Sequence, residues 1–430
     1  MRARCGIGDL RTATMALLTS ALIVLALVAG STWSAYSSTA QNTGASFATA
    51  SSYATTCPTA TMNGGYLTGM EMGRRPFHAS SLKPMSATGS ADAAIKRTGA
   101  YSLKLGTNAA ASYAQWSTPI SPAPVAQVAR FAFHLDSLPT ANVNQLFGMN
   151  SSGGMQLRYI AATQKLAIAL APTTTSGLIV VEALDTVQAG VWYVIDVRLR
   201  VGGPNHIADW RINGTAQPSA SVVGSASGTN VATFGTQSAE TFSAHYDDIM
   251  LTFESADYPL GDGRVYAVYP DGMGTSVGAT NFRDDDGTAI DAASWARLDE
   301  VPMAPITDYI QQTTASTTSY VELTMQNTTE TCIRGARGYF TSHSPVSVSN
   351  KTNHMKISAF SGAQESIIYE GNTLSSSTTQ SIDRSANVTP ATTWSQSALN
   401  AIVLRFGYSN SLANGNPLVD GAMVEYEVPQ

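Results

Sequence analysis

The chain has 430 residues, a net charge of −6 and a charged fraction of 13%, about half of the share that is usual for soluble domains. Binding to nucleic acid requires many cationic side chains that neutralise phosphates. The sequence contains no basic cluster, so we expect no nucleic-acid partner. Serine, threonine, alanine and glycine take the place of the missing charges, a composition typical of strands and turns rather than of long helices.

The N-terminus has the layout of an export signal. Arg2, Arg4 and Arg11 precede an apolar run at residues 15–29, and small residues follow. The run is shorter than the roughly 20 residues that span a bilayer. We therefore expect residues 1–35 to form a hydrophobic signal helix, as a cleaved signal peptide or a signal anchor. The protein is then secreted or held at the cell surface, with membrane contact only through this segment.

Period-two alternation of apolar and polar residues begins after a Ser/Thr/Ala-rich stretch at residues 36–62, which is a predicted linker. Each alternating segment is short and is bounded by Gly, Pro, Asn or Ser, a pattern typical of a sandwich or barrel. Asn213-Gly214 predicts a two-residue type I′ turn. Predicted strands in this region are 101–105, 131–136, 155–160, 165–170, 193–201, 210–212 and 249–253. They predict an all-β fold with two packed sheets.

Five motifs in this region follow one another in a familiar order: Gly69-Met70-Glu71, RTGAYSLKLG at 97–106, GVWYVIDVRLRV at 190–201, DWRINGT at 209–215 and YDDIMLTF at 246–253. Together they resemble the laminin-G-like members of the concanavalin A-like superfamily. The resemblance implies a jelly-roll domain at residues 63–255.

Two further stretches carry resemblances of their own. GDGRVYAVYPDGMG at 261–274, SWARLDEVP at 294–302 and TDYIQ at 307–311 are similar to a segment of tailed-phage structural proteins that follows a laminin-G-like domain. That similarity implies an ordered connector at 256–312 and a smaller β-sandwich at 313–430. GSTWSAYSSTAQNTGASFAT at 30–49 resembles the signal regions of Gram-positive, in particular actinobacterial, surface proteins.

Three carboxylates are candidates for a structural Ca²⁺ site, because the early Glu and late Asp residues of several jelly-roll modules hold this ion: Glu71, Asp247 and Asp248. Oxygen ligands of this kind suit a hard cation. Asp247 shares the parity of Ile249, which predicts that it points towards the core. The alternative is that the three residues cap turns and accept backbone hydrogen bonds. No other cofactor is expected.

A carbohydrate site needs aromatic ring faces and hydrogen-bonding groups, and six residues of the predicted jelly roll supply both: Trp116, Tyr159, Trp192, Asp196, Arg198 and Arg200. By parity, Trp192, Asp196 and the two arginines share one outward face of a strand. The alternative is that the tryptophan packs at a strand edge and the arginines are solvated.

The sequence lacks the motifs of the common hydrolases of this fold. It has no E-x-D-x-x-E string, whose two glutamates supply the nucleophile and the acid/base of a retaining glycosidase. It also has no H-E-x-x-H and no G-x-S-x-G. We therefore expect no catalytic residue and a binding or adhesion protein directed at polysaccharide. A self-assembling subunit of a surface filament, coat or phage-like appendage is the alternative, and a polysaccharide hydrolase or lyase is a weaker one.

Cysteine usage suits an oxidising compartment. The sequence has three cysteines, and Cys5 lies in the predicted signal. Cys57 and Cys332 remain as an even pair. We expect them either to form a disulfide that ties the start of the exported chain to its second half, or to be two buried thiols.

Overall fold

The computed structural model describes residues 65–73, 89–117, 123–149, 154–170, 178–223, 231–301, 308–314, 316–343, 354–372, 382–408 and 418–430. These residues belong to one compact unit, Cys57–Gln430. The predicted signal helix at 1–35 and the predicted linker at 36–62 lie outside them. Within the described ranges, no helix combines the length and the hydropathy needed to cross a membrane.

Thirteen antiparallel strands of the first half form one curled sheet. They are β1 (Tyr66–Thr68), β2 (Ser90–Asp92), β3 (Ser102–Ser117), β4 (Ala126–Leu135), β5 (Val143–Met149), β6 (Met155–Ile160), β7 (Lys165–Leu170), β8 (Ile179–Glu182), β9 (Trp192–Arg200), β10 (Asn205–Ile212), β11 (Thr215–Ala216), β12 (Ala220–Val223) and β13 (Val231–Thr252). The main order across the sheet is β11-β10-β9-β4-β13-β5-β6-β7-β8.

The long strands β3 and β13 turn this sheet into two layers. They pair with each other along most of their length, with register shifts between Thr236 and Phe242. Beyond the shifts, β13 pairs with β4, whereas before them it pairs with β5. The two halves therefore belong to opposite layers of a sandwich. Aromatic side chains from both layers meet in its core, with the rings of Phe131 and Phe147 4.7 Å apart.

Several sequence predictions are confirmed in this sandwich. The residues at 155–160 and 165–170 form the predicted hairpin, with Met155 opposite Leu170. Asn213 and Gly214 both have positive φ and join β10 to β11, as a type I′ turn requires. The predicted inward faces also lie in the core: Tyr193, Ile195, Val197, Leu199 and Val201 on one strand, and Ile249, Leu251 and Phe253 on another.

The prediction for the orientation of Asp247 is wrong, because β13 contains a bulge. The pairing with β4 shifts between Asp247 and Met250, and Asp248 has φ of 50°. The extra residue places both Tyr246 and Ile249 in the core, so the intervening carboxylates point to the opposite face of the sheet. A bulge changes the side-chain parity of a strand, and simple alternation cannot anticipate it.

The second half of the chain forms another two-sheet sandwich. One sheet contains β14 (Gly263–Val268), β16 (Phe282–Asp284), β17 (Ile310–Gln312), β19 (Gly335–His343), β22 (Ile382–Val388) and β24 (Leu418–Pro429). The other contains β15 (Pro270–Met273), β18 (Tyr320–Met325), β20 (His354–Ser361), β21 (Gln364–Asn372) and β23 (Ile402–Tyr408). A short helix, α1 (Gln396–Asn400), precedes β23, and 3₁₀ turns occupy Ser255–Asp257, Ala279–Asn281 and Ser294–Arg297.

The segment predicted as a connector, residues 256–312, supplies four of these strands. β14 pairs with β24 along its whole length, and β15 pairs with β18. β16 and β17 pair with each other, and β17 also pairs with β24. Alternating apolar residues of three later strands lie in the core of this sandwich: Met355, Ile357, Ala359, Ile402, Leu404, Phe406, Val424, Tyr426 and Val428.

The two sandwiches share a buried interface that is both apolar and ionic. Its apolar part consists of Leu67, Val128, Met250, Leu260 and Val265, with a second cluster of Met72, Tyr339 and Met423. At its centre the Arg130 guanidinium contacts Glu427 at 2.7 Å, and both side chains are fully buried. Arg334 approaches the other carboxylate oxygen of Glu427 at 3.3 Å. This ion pair joins β4 of the first sandwich to β24 of the second.

The bulge of β13 carries the rest of the ionic interface. Asp248 accepts hydrogen bonds from Arg97 at 3.0 Å and from the backbone N–H of Val265 at 2.7 Å. Arg97 also contacts Asp262 at 2.6 Å. Buried charges require such partners, because an unpaired one is costly. Asp248 of the motif YDDIMLTF therefore helps to attach the second sandwich to the first.

Candidate functional site

Two of the predicted carbohydrate contacts lie in the hydrophobic core. Trp116 is 4% exposed and Tyr159 is 1% exposed, and both belong to the core of the first sandwich. The ring of Trp116 stacks on Phe253 at 5.4 Å and lies 5.9 Å from Tyr66. These rings fill space between the two layers and offer no free face, so the prediction that they stack on sugar is wrong.

Asp196 points outward from its strand, as predicted, but the second sandwich covers it. The backbone N–H of Gly261 donates to Asp196 Oδ2 at 2.8 Å, and the residue is 2% exposed. Burial raises its pKa to about 6, although the hydrogen bond from Gly261 and the charges of Arg130 and Arg334 oppose the rise. Asp196 is therefore an interface residue and not a contact for an external ligand.

Arg198 and Arg200 share one partner that the sequence argument did not single out. Asp209 on the neighbouring strand β10 contacts Arg198 at 2.8 Å and Arg200 at 3.0 Å. The Arg198 guanidinium also lies 4.6 Å from the centre of the Tyr258 ring. Burial acts to raise the pKa of Asp209, but the hydrogen bonds from Arg198 and Ser219 and the charges of the two arginines together lower it. Both arginines thus pair with Asp209 at the sheet surface, where their side chains are 21% and 42% exposed, and a ligand contact through either one stays a prediction.

Trp192 is the predicted aromatic contact that remains available, and it ends a row of polar side chains. Cross-strand register places Lys104 opposite His245, His245 opposite His134, and His134 opposite Trp192. The ring centre of Trp192 lies 5.2 Å from that of His134. Trp192 is partly exposed. We call Lys104, His245, His134 and Trp192 the histidine row; it crosses four adjacent strands of the first sandwich, β3, β13, β4 and β9.

Two carboxylates flank the histidine row at the ends of β2 and β4. Asp92 Oδ2 contacts His245 Nε2 at 3.1 Å and Lys104 Nζ at 3.4 Å. Burial acts to raise the pKa of Asp92, but the hydrogen bonds with His245, Lys104 and the backbone of Ala94, together with the charge of His245, outweigh it, and the pKa falls to about 2. Asp136 follows β4 and is held by the Ser243 hydroxyl, which donates to its Oδ2 at 2.5 Å. Alternation predicts an outward position for both histidines, because His134 follows the core residue Phe133 and His245 precedes the core residue Tyr246. Their meeting with Asp136 depends on the register of the sheet.

Ligand atoms converge where Asp136 meets the two histidines. His134 Nδ1 lies 3.2 Å and His245 Nδ1 lies 2.9 Å from Asp136 Oδ1. The three atoms lie within 4.8 Å of one another. Burial lowers the pKa of His134, which favours the neutral ring. Among the described residues, this is the group of histidine and carboxylate side chains with metal-ligand geometry.

The predicted calcium ligands surround the loop that precedes β3. The N–H groups of Arg97 and Thr98 donate to Asp247 Oδ2 at 2.7 and 3.1 Å. The N–H of Ala100 donates to Glu71 Oε2 at 2.8 Å. Burial raises the pKa of Asp247, with the charge of Asp248 acting in the same direction, and burial raises the pKa of Glu71 to about 8. These backbone hydrogen bonds match the alternative to calcium, and a bound Ca²⁺ stays a prediction.

Cys332 is disulfide-bonded in this structure. Cys57, its predicted partner, lies outside the described residues. The pairing of the two cysteines therefore stays a prediction.

No family model matches this chain, and no curated protein matches it in sequence. Solved structures resemble part of this chain at low identity. Cellulose induced protein is 14% identical, with 44% of this chain matched to 97% of that one and a TM-score of 0.33. A carbohydrate esterase from the Shiga toxin-encoding bacteriophage phi24B is 13% identical. The match covers 44% of this chain and 100% of that chain, with a TM-score of 0.32. The third structure is domain 4 of an extracellular arabinanase from Geobacillus stearothermophilus, in complex with arabinotriose, and it is 11% identical. The match covers 44% of this chain and 93% of that chain, with a TM-score of 0.31. Likenesses this distant carry no argument about what this chain binds.

Proposed function

We propose that this chain is a non-catalytic, exported binding protein directed at carbohydrate or another surface polymer, and that Trp192 and Lys104, the two partly exposed ends of the histidine row, belong to its contact face. The observation that carries the proposal is the position of Trp192. Its indole is partly exposed at the end of a row of hydrogen-bonding side chains. An indole offers an apolar face together with an N–H donor, and Lys104 and the two flanking carboxylates supply further polar groups for hydroxyls.

Binding of a polysaccharide is expected to depend on Trp192. In pull-down with insoluble polysaccharides and on a glycan array, Trp192→Ala is expected to lower the affinity for any ligand of the purified chain at least tenfold. Loss of one buried aromatic contact at the centre of an interface commonly costs more than 1 kcal/mol, and 1.4 kcal/mol corresponds to a factor of ten.

The matched control is Trp394→Ala, which removes a partly exposed tryptophan of the second sandwich. It is expected to leave binding unchanged. Equal affinity of the wild type and the Trp192 variant would contradict this contact face, and the absence of any bound polysaccharide would contradict the proposed function. Turnover of a bound polysaccharide would contradict the non-catalytic part of the proposal.

A structural subunit of a surface assembly is the second candidate, and the edge strand β8 favours it. Leu178, Ile179 and Val180 are 38–43% exposed, and Val223 on the contacting strand β12 is 70% exposed. Within the described sheet, β8 pairs on one side with β7 and ends the strand order. An exposed apolar edge strand is a template for pairing with another chain.

Self-association through β8 is expected to disappear when the edge carries a charge. Val180→Lys places an ammonium in the exposed apolar edge, as natural edge strands do to prevent pairing. Sedimentation velocity over a hundredfold concentration range is expected to show assembly of the wild type and a monomer for this variant. Val277→Lys, at an exposed valine of the second sandwich, is the control. A wild type that stays monomeric at all concentrations would contradict this candidate.

A further inference from the structure

We propose that His134, Asp136 and His245 form a binding site for a divalent transition metal ion of the Zn²⁺ class. The proposal is independent of the carbohydrate proposal, because it rests on how three ligand atoms are placed and not on any external polymer. β4 ends in His134-Leu135-Asp136, and β13 places His245 opposite His134 in the register of the sheet. Two strands that are adjacent in space thus bring two imidazoles and one carboxylate together.

The two ring nitrogens of His245 face two different carboxylates. Nε2 lies 3.1 Å from Asp92 Oδ2, and Nδ1 lies 2.9 Å from Asp136 Oδ1. An ionised carboxylate only accepts hydrogen bonds. Asp92 can therefore accept the proton of Nε2, and Nδ1 then offers a lone pair to a cation that Asp136 also contacts.

A metal ion can contact all three ligand atoms at once. A proton on one nitrogen serves a single contact, whereas three buried atoms converge here: His134 Nδ1, His245 Nδ1 and Asp136 Oδ1. Zinc lies about 2.0–2.2 Å from nitrogen and oxygen ligands, so neighbouring ligand atoms of a tetrahedral site are separated by ~3.3 Å. The measured separations of 3.2 and 2.9 Å from Asp136 Oδ1 are close to that value.

The surroundings of the three ligands are those that metal sites have. Metal-bound histidines commonly donate their second nitrogen to a carboxylate or a backbone carbonyl. Asp92 holds the second nitrogen of His245, and His134 has a backbone hydrogen bond to Gly190. The Ser243 hydroxyl holds the second oxygen of Asp136 and leaves Oδ1 free for the ion. Each ligand is thus oriented by a further contact.

Ligand type and access decide the class of ion. Imidazole nitrogen suits Zn²⁺, Co²⁺, Ni²⁺ and Cu²⁺, whereas Ca²⁺ and Mg²⁺ prefer oxygen ligands. The side chain of Asp136 is 24% exposed, while those of His134 and His245 are 7% and 0% exposed. An ion therefore enters from the side of Asp136. With three protein ligands, a tetrahedral ion keeps one position for water or another small ligand.

Direct binding of the metal alone tests the site. Protein stripped with chelator is expected to bind one Zn²⁺ per chain in isothermal titration calorimetry, and Co²⁺ is expected to give the visible absorption of a tetrahedral site. Cu²⁺ is expected to quench Trp192, because its ring adjoins His134. Ca²⁺ at the same concentration is expected to give none of these signals at this site.

Variants separate the ligands from the supporting residue. His245→Gln keeps a donor for Asp92 but removes the imidazole, and it is expected to abolish the Co²⁺ spectrum. Asp92→Asn is expected to weaken Zn²⁺ binding 10- to 100-fold, the usual effect of changing a group that orients a ligand. His206→Gln changes a buried histidine outside the group and is expected to bind like the wild type.

Two results would overturn the proposal. One is a stripped wild-type chain that takes up less than about 0.1 Zn²⁺ per chain at a free concentration of the order of 10 μM, well above the dissociation constants of structural zinc sites. The other is Zn²⁺ uptake that is identical in the wild type and in His245→Gln. If His245→Gln does not fold, electron spin echo spectroscopy of Cu²⁺ bound to the wild type decides, since it detects whether two imidazoles coordinate the ion.

Discussion

Glu427→Ala is expected to lower the free energy of unfolding by about 3–5 kcal/mol, the usual effect of removing one partner of a buried ion pair. The Glu427 carboxylate contacts Arg130 at 2.7 Å and Arg334 at 3.3 Å. The side chains of these arginines are 0% and 5% exposed. The variant leaves two guanidinium groups in the interface between the sandwiches without their carboxylate, and their desolvation is then uncompensated. Urea denaturation followed by tryptophan fluorescence measures the loss.

The control for this variant is an ion pair of similar length at the surface. Lys356 and Glu365 approach at 2.7 Å, but their side chains are 35% and 34% exposed. Glu365→Ala is expected to cost at most about 1 kcal/mol, as is typical of solvated pairs. If both variants lose the same amount, the Arg130–Glu427 contact does not hold the two sandwiches together.

The second large effect is a loss of stability as the pH rises from 6.5 to 8.5. Burial raises the pKa of Glu425 to about 7, although the hydrogen bonds from the backbone of Glu71 and Gly69 oppose the rise. Burial also raises the pKa of Glu71 to about 8. In the unfolded chain both carboxyl groups have a pKa of about 4.5. In this window the folded state therefore binds protons that the unfolded state has released, and the free energy of unfolding falls with rising pH. One pKa unit corresponds to about 1.4 kcal/mol, so we expect a loss of roughly 1–3 kcal/mol.

The choice of window separates this effect from the titrations of the two histidines and of Asp92. Burial lowers the pKa of His134 and of His206 below 6.5, and their contribution has the opposite sign at lower pH. The pKa of Asp92 is about 2, so its contribution is lost only in acid. Glu425→Gln is expected to flatten the slope between pH 6.5 and 8.5. Glu365→Gln is expected to leave it unchanged, since the pKa of Glu365 is lowered despite its partial burial. A stability that is constant or rises over this window would contradict the assignment.

Strand positions could be predicted from the sequence because each buried face follows a simple period. Ile195, Val197 and Leu199 alternate with polar residues, and the structure places them in the core. The turn at Asn213 and Gly214 could also be predicted, because few residue pairs adopt positive φ twice in succession. Local chemistry determines both features, so a single sequence suffices for them.

The remaining features depend on contacts between residues that are distant in the chain. The bulge at Asp247 and Asp248 reverses the alternation of side chains along β13. Arg97, which donates to Asp247, lies about 150 residues away in the chain, and Val265, which donates to Asp248, lies 17 residues away. Alternation along its strand predicts that Asp196 points outward. Only its hydrogen bond with Gly261 shows that the second sandwich covers it. The convergence of His134, Asp136 and His245 requires the register between β4 and β13. No periodicity in the sequence predicts these contacts.

The short strand β1 has a mechanical consequence. Its three residues pair with β13 of the first sandwich, while the Gly65 carbonyl accepts hydrogen bonds from Arg337 and Asn387 of the second. Tension applied to the chain before residue 65 therefore reaches both sandwiches at the same point. The load is shared between them at β1 and does not have to travel along the first sandwich before it reaches the second.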